Sequence, residues 1–231
     1  MIRPLDPGAR LRAAASLVRW GRPAADIGCD HGKLAVYLVE SGRCPFVVAA
    51  DLRPGPLRGA QTLAAQRGLS DRIDCRLGGG LSVLAPGEVQ DLVIAGMGGL
   101  TIAGILGDAP WVRDAGYNLV LLPASGAADL RRWLAEHGFE IRAELPVAEA
   151  GHSYAAMQAA YTGRRVQPTA LFCLLGRLRG QRSADAAACF AAAAHRLTQE
   201  LQGRRRAGET DLSALEALLK EVQKEMSECQ E

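Results

Sequence analysis

Two carboxylates alternate with two glycines in one short segment near the start of the chain, Asp26-Ile27-Gly28-Cys29-Asp30-His31-Gly32. The segment follows an apolar run and precedes a helical pattern, which predicts a turn between a buried strand and a helix. Glycine allows a ligand to approach the backbone closely because it has no Cβ atom. About twenty residues further on, a second apolar run ends at Asp51, where nucleotide folds place a carboxylate for ribose hydroxyls. The spacing therefore predicts a site for a nucleotide-like ligand.

Asp30 occupies the position at which many nucleotide-binding turns have a second glycine. A helix N-terminus normally attracts phosphate, but a carboxylate there repels pyrophosphate and attracts a cation. S-adenosylmethionine carries a sulfonium and an ammonium group and no phosphate, so we expect it in preference to NAD or ATP. Simpler interpretations stay open. Asp30 could act only as a helix cap, and His31 could cap, contact a substrate or pack on the surface.

Apolar runs of strand length alternate with helical patterns along the first two thirds of the chain. Alternating β and α units build a parallel, doubly wound sheet, so we expect an α/β fold of Rossmann-like type. The last two strands read as an antiparallel pair, which distinguishes a methyltransferase-like sheet by analogy with known folds. Strands are expected at residues 18–28 (which begin as a helix), 46–50, 73–77, 91–95, 118–122, 139–147 and 154–161, and helices at 34–40, 56–68 and 129–137.

Four turns rich in glycine or carboxylates each follow a predicted strand directly. In an open parallel sheet such turns share the carboxyl edge, where ligands bind. Their coincidence favours an adenosine-containing cofactor, although any single glycine could simply form its turn. The four turns contain Asp26 to Gly32, then Asp51, then Gly78-Gly79-Gly80, and finally Gly96-Met97-Gly98-Gly99.

The composition bounds the class of protein and its compartment. The 231 residues suffice for one full-sized domain with an appendage, and 48% hydrophobic with 23% charged residues is typical of soluble globular chains. No signal peptide or long apolar run is recognisable, so we expect a cytoplasmic protein without a membrane partner. The six cysteines form no CxxC pair and the histidines have no ligand spacing, so we expect no metal.

Charge is distributed unevenly after residue 163. Residues 164–206 hold nine arginines against Asp185 and Glu200, whereas residues 207–231 hold two lysines against seven acids. A basic segment suits a polyanion such as RNA. The alternative is an arginine-rich helical face that is merely solvated.

Apolar residues recur at alternating spacings of three and four in two stretches of the C-terminal region. Two such seams joined by a short polar loop predict an antiparallel helical hairpin of coiled-coil type. The alternative is a pair of amphipathic helices folded back on the main domain. We expect domains at 1–163 and 164–231, in a monomer or weak dimer. The seams are Ala187, Phe190, Ala194, Leu197 and Leu201, followed by Leu212, Leu215, Leu219, Val222 and Met226.

Several motifs together resemble one enzyme family over essentially the whole chain. They are Asp26-Ile27-Gly28-Cys29-Asp30-His31, Gly55-Pro56, Gly78-Gly79-Gly80-Leu81, Ile94-Ala95-Gly96-Met97-Gly98-Gly99 and Leu130-Arg131-Arg132-Trp133-Leu134, with Arg10-Leu11 and Tyr154. This pattern is similar to the bacterial tRNA (adenine-22 N1)-methyltransferase family, which is TrmK-like. The resemblance implies a class I methyltransferase fold with a seven-stranded, mostly parallel sheet. It also implies S-adenosylmethionine as methyl donor and tRNA as substrate.

The resemblance, the charge of the expected product and the basic segment together assign roles to residues. Asp30 is the expected catalytic carboxylate, which stabilises the cationic product, and His31 assists it or contacts substrate. The residues expected to bind the cofactor are Arg10, Asp26, Gly28, Cys29, Asp30, Asp51, Leu52, Gly78, Gly79, Gly80, Leu81, Gly96 and Met97. Those expected to bind the RNA are Met97, Gly98, Gly99, Tyr154, Arg177, Arg179, Arg182, Arg204, Arg205 and Arg206, of which the arginines would hold phosphates without reading sequence.

Three departures from the family pattern keep other functions open. Cys29 replaces a serine, Gly79 stands where an acidic residue is common, and Leu122-Pro123-Ala124 replaces Gln-Pro-Asn. The alternatives are a methyltransferase for another RNA site or a small molecule, and a catalytically silent RNA-binding protein of the same fold. A nicotinamide-dependent oxidoreductase is a further alternative, which Asp30 disfavours.

Overall fold

A single seven-stranded sheet organises the chain, of which the computed structural model describes residues 5–229. Its strand order is β3-β2-β1-β4-β5-β7-β6, and only β7 runs in the direction opposite to the other six strands. The strands are β1 (Ala24–Ile27), β2 (Val47–Asp51), β3 (Ile73–Leu77), β4 (Asp91–Ala95), β5 (Asn118–Leu122), β6 (Phe139–Glu149) and β7 (His152–Tyr161). The expected mostly parallel sheet with a closing antiparallel pair is confirmed.

The central strands are buried on both faces, as their continuous apolar runs predict. Side chains alternate between two hydrophobic cores because successive Cβ atoms point to opposite faces. In β2, for example, Val48 and Ala50 belong to one core and Val47 and Ala49 to the other.

Helices cover both faces of the sheet. The first three pack on one face, and the later helices contribute to the core of the other. They are α1 (Ala9–Leu17), α2 (Lys33–Glu40), α3 (Pro54–Gln66), α4 (Gly99–Gly107), α5 (Ala127–Glu136), α6 (Ala170–Leu175), α7 (Ala184–Arg206) and α8 (Ser213–Ser227). Within residues 5–229, no helix combines the length and the apolar character needed to cross a membrane.

The sequence patterns missed helices α4 and α6 and located only the end of the first helical stretch. Helix α4 escaped because its sequence, GLTIAGILG, is apolar on nearly every side and glycine-rich, so it has no amphipathic period. Helix α6 spans six residues, which is less than two turns and too short for a periodic signal.

The C-terminal helices pack against each other, and α7 also packs on β6 and β7. Phe190, Ala194 and Leu197 from the predicted seam belong to the same core as the sheet. The helices are therefore folded back on the sheet, as the alternative interpretation had it. A coiled-coil geometry and a domain boundary at residue 163 stay predictions.

A fully buried ion pair fastens the start of this C-terminal region to the sheet. Arg131 of α5 is 2% exposed, and its Nε lies 2.8 Å from Oε1 of Glu144 on β6. Its Nη1 donates to the carbonyls of Cys173 and Leu174 at 2.9 and 2.7 Å, and the Arg177 amide donates to Glu144. One buried pair of charges thus connects α5, β6 and the segment from Cys173 to Arg177.

We expect Arg131→Met to lower the free energy of unfolding by about 3–5 kcal/mol, because it leaves the Glu144 carboxylate buried without its counterion. Arg132→Met is the matched control, since its exposed pair with Asp129 at 3.6 Å contributes at most about 1 kcal/mol. Urea unfolding measures both. Equal losses in the two variants would contradict the role of the buried pair.

Candidate functional site

A cleft of about 670 Å³ opens at the carboxyl ends of the parallel strands. It brings together thirteen of the residues that the sequence singled out: Arg10, Asp26, Gly28, Cys29, Asp30, His31, Asp51, Leu52, Gly78, Gly79, Gly80, Gly96 and Met97. The four predicted turns therefore meet, because parallel strands end at a common edge.

The first turn owes its path to three residues with positive φ. Gly28 and Gly32 have φ of +76° and +72°, and Asp30 adopts +50°. The amides of Gly28 and Cys29 both donate to the carbonyl of Ala50, at 2.8 Å each. Gly32, and not Asp30, is the N-cap residue of α2. The interpretation of Asp30 as a helix cap is therefore wrong.

Asp51 ties this turn to the next one. The residue is 5% exposed, its Oδ2 accepts the amide of Asp30 at 3.1 Å, and its Oδ1 accepts the amide of Arg53 at 2.9 Å. Each carboxylate oxygen keeps lone-pair capacity for a further donor. The side chain can therefore hold the two turns and still accept hydrogen bonds from a ligand.

Asp26 contributes a deeply buried carboxyl group to the cleft. It is 3% exposed, and its Oδ2 has no hydrogen-bond partner among residues 5–229. Burial raises the pKa of Asp26 from 3.8 to about 7, with smaller increases from Asp51 and Asp30 and an opposing hydrogen bond from the Ala35 backbone. A buried carboxylate that has one oxygen without a partner and lies near the carboxylates of Asp30 and Asp51 is suited to a cationic ligand.

Asp30 and His31 lie at the mouth of the cleft, with side chains 66% and 61% exposed. The His31 Nε2 is 3.8 Å from Asp30 Oδ1, and a guanidinium nitrogen of Arg53 is 4.0 Å from the same oxygen. The His31 ring packs closely over Gly59, where an added Cβ would lie 2.3 Å from Nδ1. Asp30 is thus accessible to a molecule that enters the cleft.

Arg10 reaches the cleft from α1 and is held by the β6–β7 hairpin. Its Nε lies 3.0 Å from Glu149 Oε2, and its guanidinium carbon lies 4.9 Å from the centroid of the Tyr154 ring. No sequence signal marked Glu149, because an acidic residue at the end of a strand is unremarkable until the fold places it beside α1.

Three expected site residues serve packing instead of lining this cleft. Leu81 is 3% exposed and lies in the core. An added Cβ on Gly99 would lie 2.1 Å from the Gly126 carbonyl oxygen, so Gly99 allows the starts of α4 and α5 to touch. Gly98 bridges to Ser125 in the same contact. These three residues therefore lie outside the lining of the first cleft, and their expected contacts with cofactor or target base stay predictions.

Most of the arginines expected to hold RNA are neutralised by nearby acids. Arg179 and Arg182 pair with Glu225 at 2.7 and 3.6 Å. The other pairs are Arg182 with Glu228, Arg177 with Glu140 at 3.4 Å, Arg204 with Glu200 and Glu209 at 2.6 and 3.4 Å, and Arg205 with Glu216 at 2.5 Å. The acidic segment of the chain thus folds against its basic segment, which charge counting along the sequence did not reveal.

Other residues of the cleft were not singled out by sequence. Lys33 and Arg53 add positive charge, and Thr101 and Ile105 of α4 form part of the lining. The last two belong to a helix that the sequence patterns missed. Among residues 5–229, no group of three or more metal-ligating side chains could hold a metal ion.

Comparison with known proteins identifies the class. The methyltransferase-domain family matches residues 8–157, and the sheet order with its reversed β7 defines a Rossmann-like, class I methyltransferase fold. A Bacillus subtilis protein named tRNA (adenine(22)-N(1))-methyltransferase is 33% identical over 145 residues, which cover 63% of this chain and 61% of the relative. The match thus spans about three fifths of that relative's length.

Solved structures extend the likeness to the whole chain. The crystal structure of Sp1610 from Streptococcus pneumoniae, a candidate tRNA (m1A22) methyltransferase, is 30% identical, covers 99% of each chain and gives a TM-score of 0.79. The same protein in complex with S-adenosyl-L-methionine is 29% identical over 95% of this chain and 99% of that one, with a TM-score of 0.81. The chain belongs to the TrmK-like tRNA (adenine-22 N1)-methyltransferase family.

The raised pKa of Asp26 gives a signed stability prediction. Because the folded-state pKa of about 7 exceeds the ordinary 3.8, the stability that Asp26 contributes is present below pH 4 and lost as pH rises towards 7. We expect the stability of Asp26→Asn relative to the unmodified protein to rise over this window, by at most about 1.4 kcal/mol per pH unit.

Urea unfolding at pH 5, 6, 7 and 8 measures this difference. Asp71→Asn, at an exposed position outside the cleft, is the control and should show no comparable slope. A pH-independent difference for Asp26→Asn would mean that this carboxyl titrates normally in the folded protein.

Proposed function

We propose that this chain transfers a methyl group from S-adenosylmethionine to N1 of adenine 22 in tRNA. The observation that carries the proposal is the buried Asp26, whose Oδ2 has no hydrogen-bond partner within residues 5–229, in a cleft that also holds Asp30 and Asp51. Three carboxylates repel a phosphate-bearing cofactor and suit one that carries only positive groups near them. The family supplies the choice of RNA substrate.

The residues of the cleft fit S-adenosylmethionine along its length. Asp26 would hold the ammonium group, and Arg10 would approach the carboxylate. Asp51 would accept the ribose hydroxyls, and the Gly78–Gly80 turn with the exposed Leu52 would border the adenine. Gly28 and Cys29 would leave room beside the backbone. When bound, the cofactor supplies an electrophilic methyl group on sulfur.

The chain's own contribution to the reaction is positioning and charge. The adenine must leave its stack and enter the cleft, which costs about a few kcal/mol. Met97 lies against Gly28, since a Cβ added to Gly28 would be 2.2 Å from the Met97 Cε. The Met97 side chain would pack on the base. N1 of the neutral adenine would accept the methyl group as the bond from that group to sulfur breaks, and would become cationic. Asp30 would stabilise this developing charge, with His31 beside it.

The C-terminal region would contribute RNA binding. We assign the cofactor, the chemistry and the target base to residues 1–163, and the phosphate contacts to residues 164–231. Since five of the nine arginines there are already paired, the phosphate contacts would come chiefly from the four without a carboxylate partner in the described chain: Arg164, Arg165, Arg196 and Arg206. The paired arginines would contribute only by exchanging partners.

Calorimetric titration with S-adenosylmethionine, followed by methylation of total tRNA with labelled donor and mapping of the product, tests the proposal. We expect cofactor binding and 1-methyladenosine at position 22. An absence of cofactor binding would exclude every methyltransferase function, and a product mapped to another nucleotide would exclude this one.

We expect Asp30→Asn to lower kcat by about 10-fold while the Kd for S-adenosylmethionine changes little. The effect should be smaller than the 10²–10³-fold loss typical of a fully desolvated stabilising group, because Asp30 is two-thirds exposed. Asp71→Asn is the matched control for an exposed carboxylate outside the cleft. Single-turnover kinetics with saturating cofactor measure the change, and an unaltered rate would remove Asp30 from catalysis.

A further inference from the structure

A second cleft, of about 810 Å³, begins where the first one ends. Leu122, the last residue of β5, lines the first cleft, and Pro123 to Ser125 line the second. The Ala124 amide donates to the Met97 carbonyl at 2.8 Å, so the two clefts are separated by a single hydrogen-bonded layer of backbone. A ligand that extends from the first cleft past Met97 would therefore enter the second cleft.

The second cleft combines rings, hydroxyls and one uncompensated cation. Its polar lining consists of Ser125, Asp129, Arg131, His152, Ser153, Tyr154 and Arg196. Asp129 is paired with Arg132 at 3.6 Å, and Arg131 is paired with Glu144 at 2.8 Å. The His152 and Tyr154 rings lie 6.4 Å apart, centroid to centroid. Arg196 is exposed, and within residues 5–229 it has neither an ion-pair nor a hydrogen-bond partner. This differs from the paired arginines on the same C-terminal region.

Helix α7 forms one side of the second cleft and leaves it open. The helix presents Ala188, Ala191 and Ala192 to the space, and their small side chains determine its width. Two neighbours fix the helix in place: Phe190 is fully buried in the core, and the Cys189 thiol donates to the Tyr154 carbonyl at 3.3 Å. The cleft is therefore built into the fold.

We propose that this second cleft holds the RNA nucleotide next to the target adenosine, an inference that rests on the proposed function. The base would lie against the surface of Tyr154 and His152 that faces the cleft, and Arg196 would pair with a phosphate. A single-stranded nucleotide offers one flat ring and one negative group, and recognition of such nucleotides by aromatic and arginine side chains is common. A protein segment would leave Arg196 without an equivalent counterion unless it happened to be acidic.

The continuity of the two clefts supports RNA as the occupant. An adenosine inserted beside Met97 carries its neighbours on a continuous backbone, and the opening next to Met97 on this side is the second cleft. The arrangement also gives α7 a role in the reaction, because its alanines shape the place where the adjacent nucleotide lies.

Two variants test the second cleft, with tRNA affinity and methylation kinetics as readouts. Arg196→Ala should weaken tRNA binding several-fold and reduce its salt slope by about one, since one phosphate contact is lost. Ala191→Trp should fill the cleft and raise the KM for tRNA about 10-fold. Neither should change the Kd for S-adenosylmethionine, which also shows that the variants fold.

Matched controls lie outside both clefts. Arg113→Ala removes an exposed arginine that precedes β5, at the amino ends of the parallel strands and therefore away from both clefts. Gln199→Trp adds the same ring to an exposed position of α7. Both should bind tRNA like the unmodified protein. If the cleft variants behave like these controls, the inference is overturned even when tRNA is methylated.

The readouts separate this inference from the proposed function. If the unmodified protein binds tRNA but methylates none, the proposed function fails, and the affinities of Arg196→Ala and Ala191→Trp still decide whether the cleft holds RNA. If the unmodified protein binds no tRNA at all, both are overturned. Weaker tRNA binding by the two cleft variants alone, with intact cofactor binding, supports the second cleft.

Discussion

The cleft depends on one carboxylate, that of Asp51, which accepts the backbone amides of Asp30 and Arg53. These two bonds hold the turns after β1 and β2 at a fixed separation. Because Asp51 is nearly buried, its charge-assisted hydrogen bonds are stronger than they would be in water. Its charge also bears on Asp26, whose pKa it helps to raise. The same interaction therefore fixes the shape of the site and biases it towards a positively charged ligand.

Two different parts of the fold build the cleft that we propose for the chemistry and the cleft that we propose for holding the substrate. The first cleft is built from turns of the parallel sheet, whereas the second uses the β6–β7 hairpin and α7. Arg10 joins the two, since it lines the first cleft while its guanidinium packs on Tyr154, which lines the second. The buried pair of Arg131 with Glu144 makes this division possible, because it holds the segment before α7 firmly against the sheet.

The sequence predicted the parallel sheet and most of the first cleft because both depend on local signals. Apolar runs mark buried strands, and the turns that follow them must share an edge. It failed where the outcome depended on tertiary contacts. Gly99 makes a close contact with Gly126, which its place in a glycine-rich turn did not reveal. The pairing of arginines with acids from α8 was also invisible, because it joins residues up to 46 positions apart in sequence, such as Arg179 and Glu225. The contact of Glu149 with Arg10 and the lining of the second cleft both join segments that are distant in sequence and meet only in the fold.

The acidic helix α8 has a consequence for how the protein would move among polyanions. By compensating Arg179, Arg182 and Arg205, it shortens the range over which that face attracts nucleic acid. A protein with a dense, uncompensated positive face would bind any RNA nonspecifically, and each such complex would slow its search for a particular RNA. Internal neutralisation makes chance encounters brief. Discrimination then falls to close-range fit, so turnover in a crowded mixture would be limited by recognition and not by release from the wrong molecule.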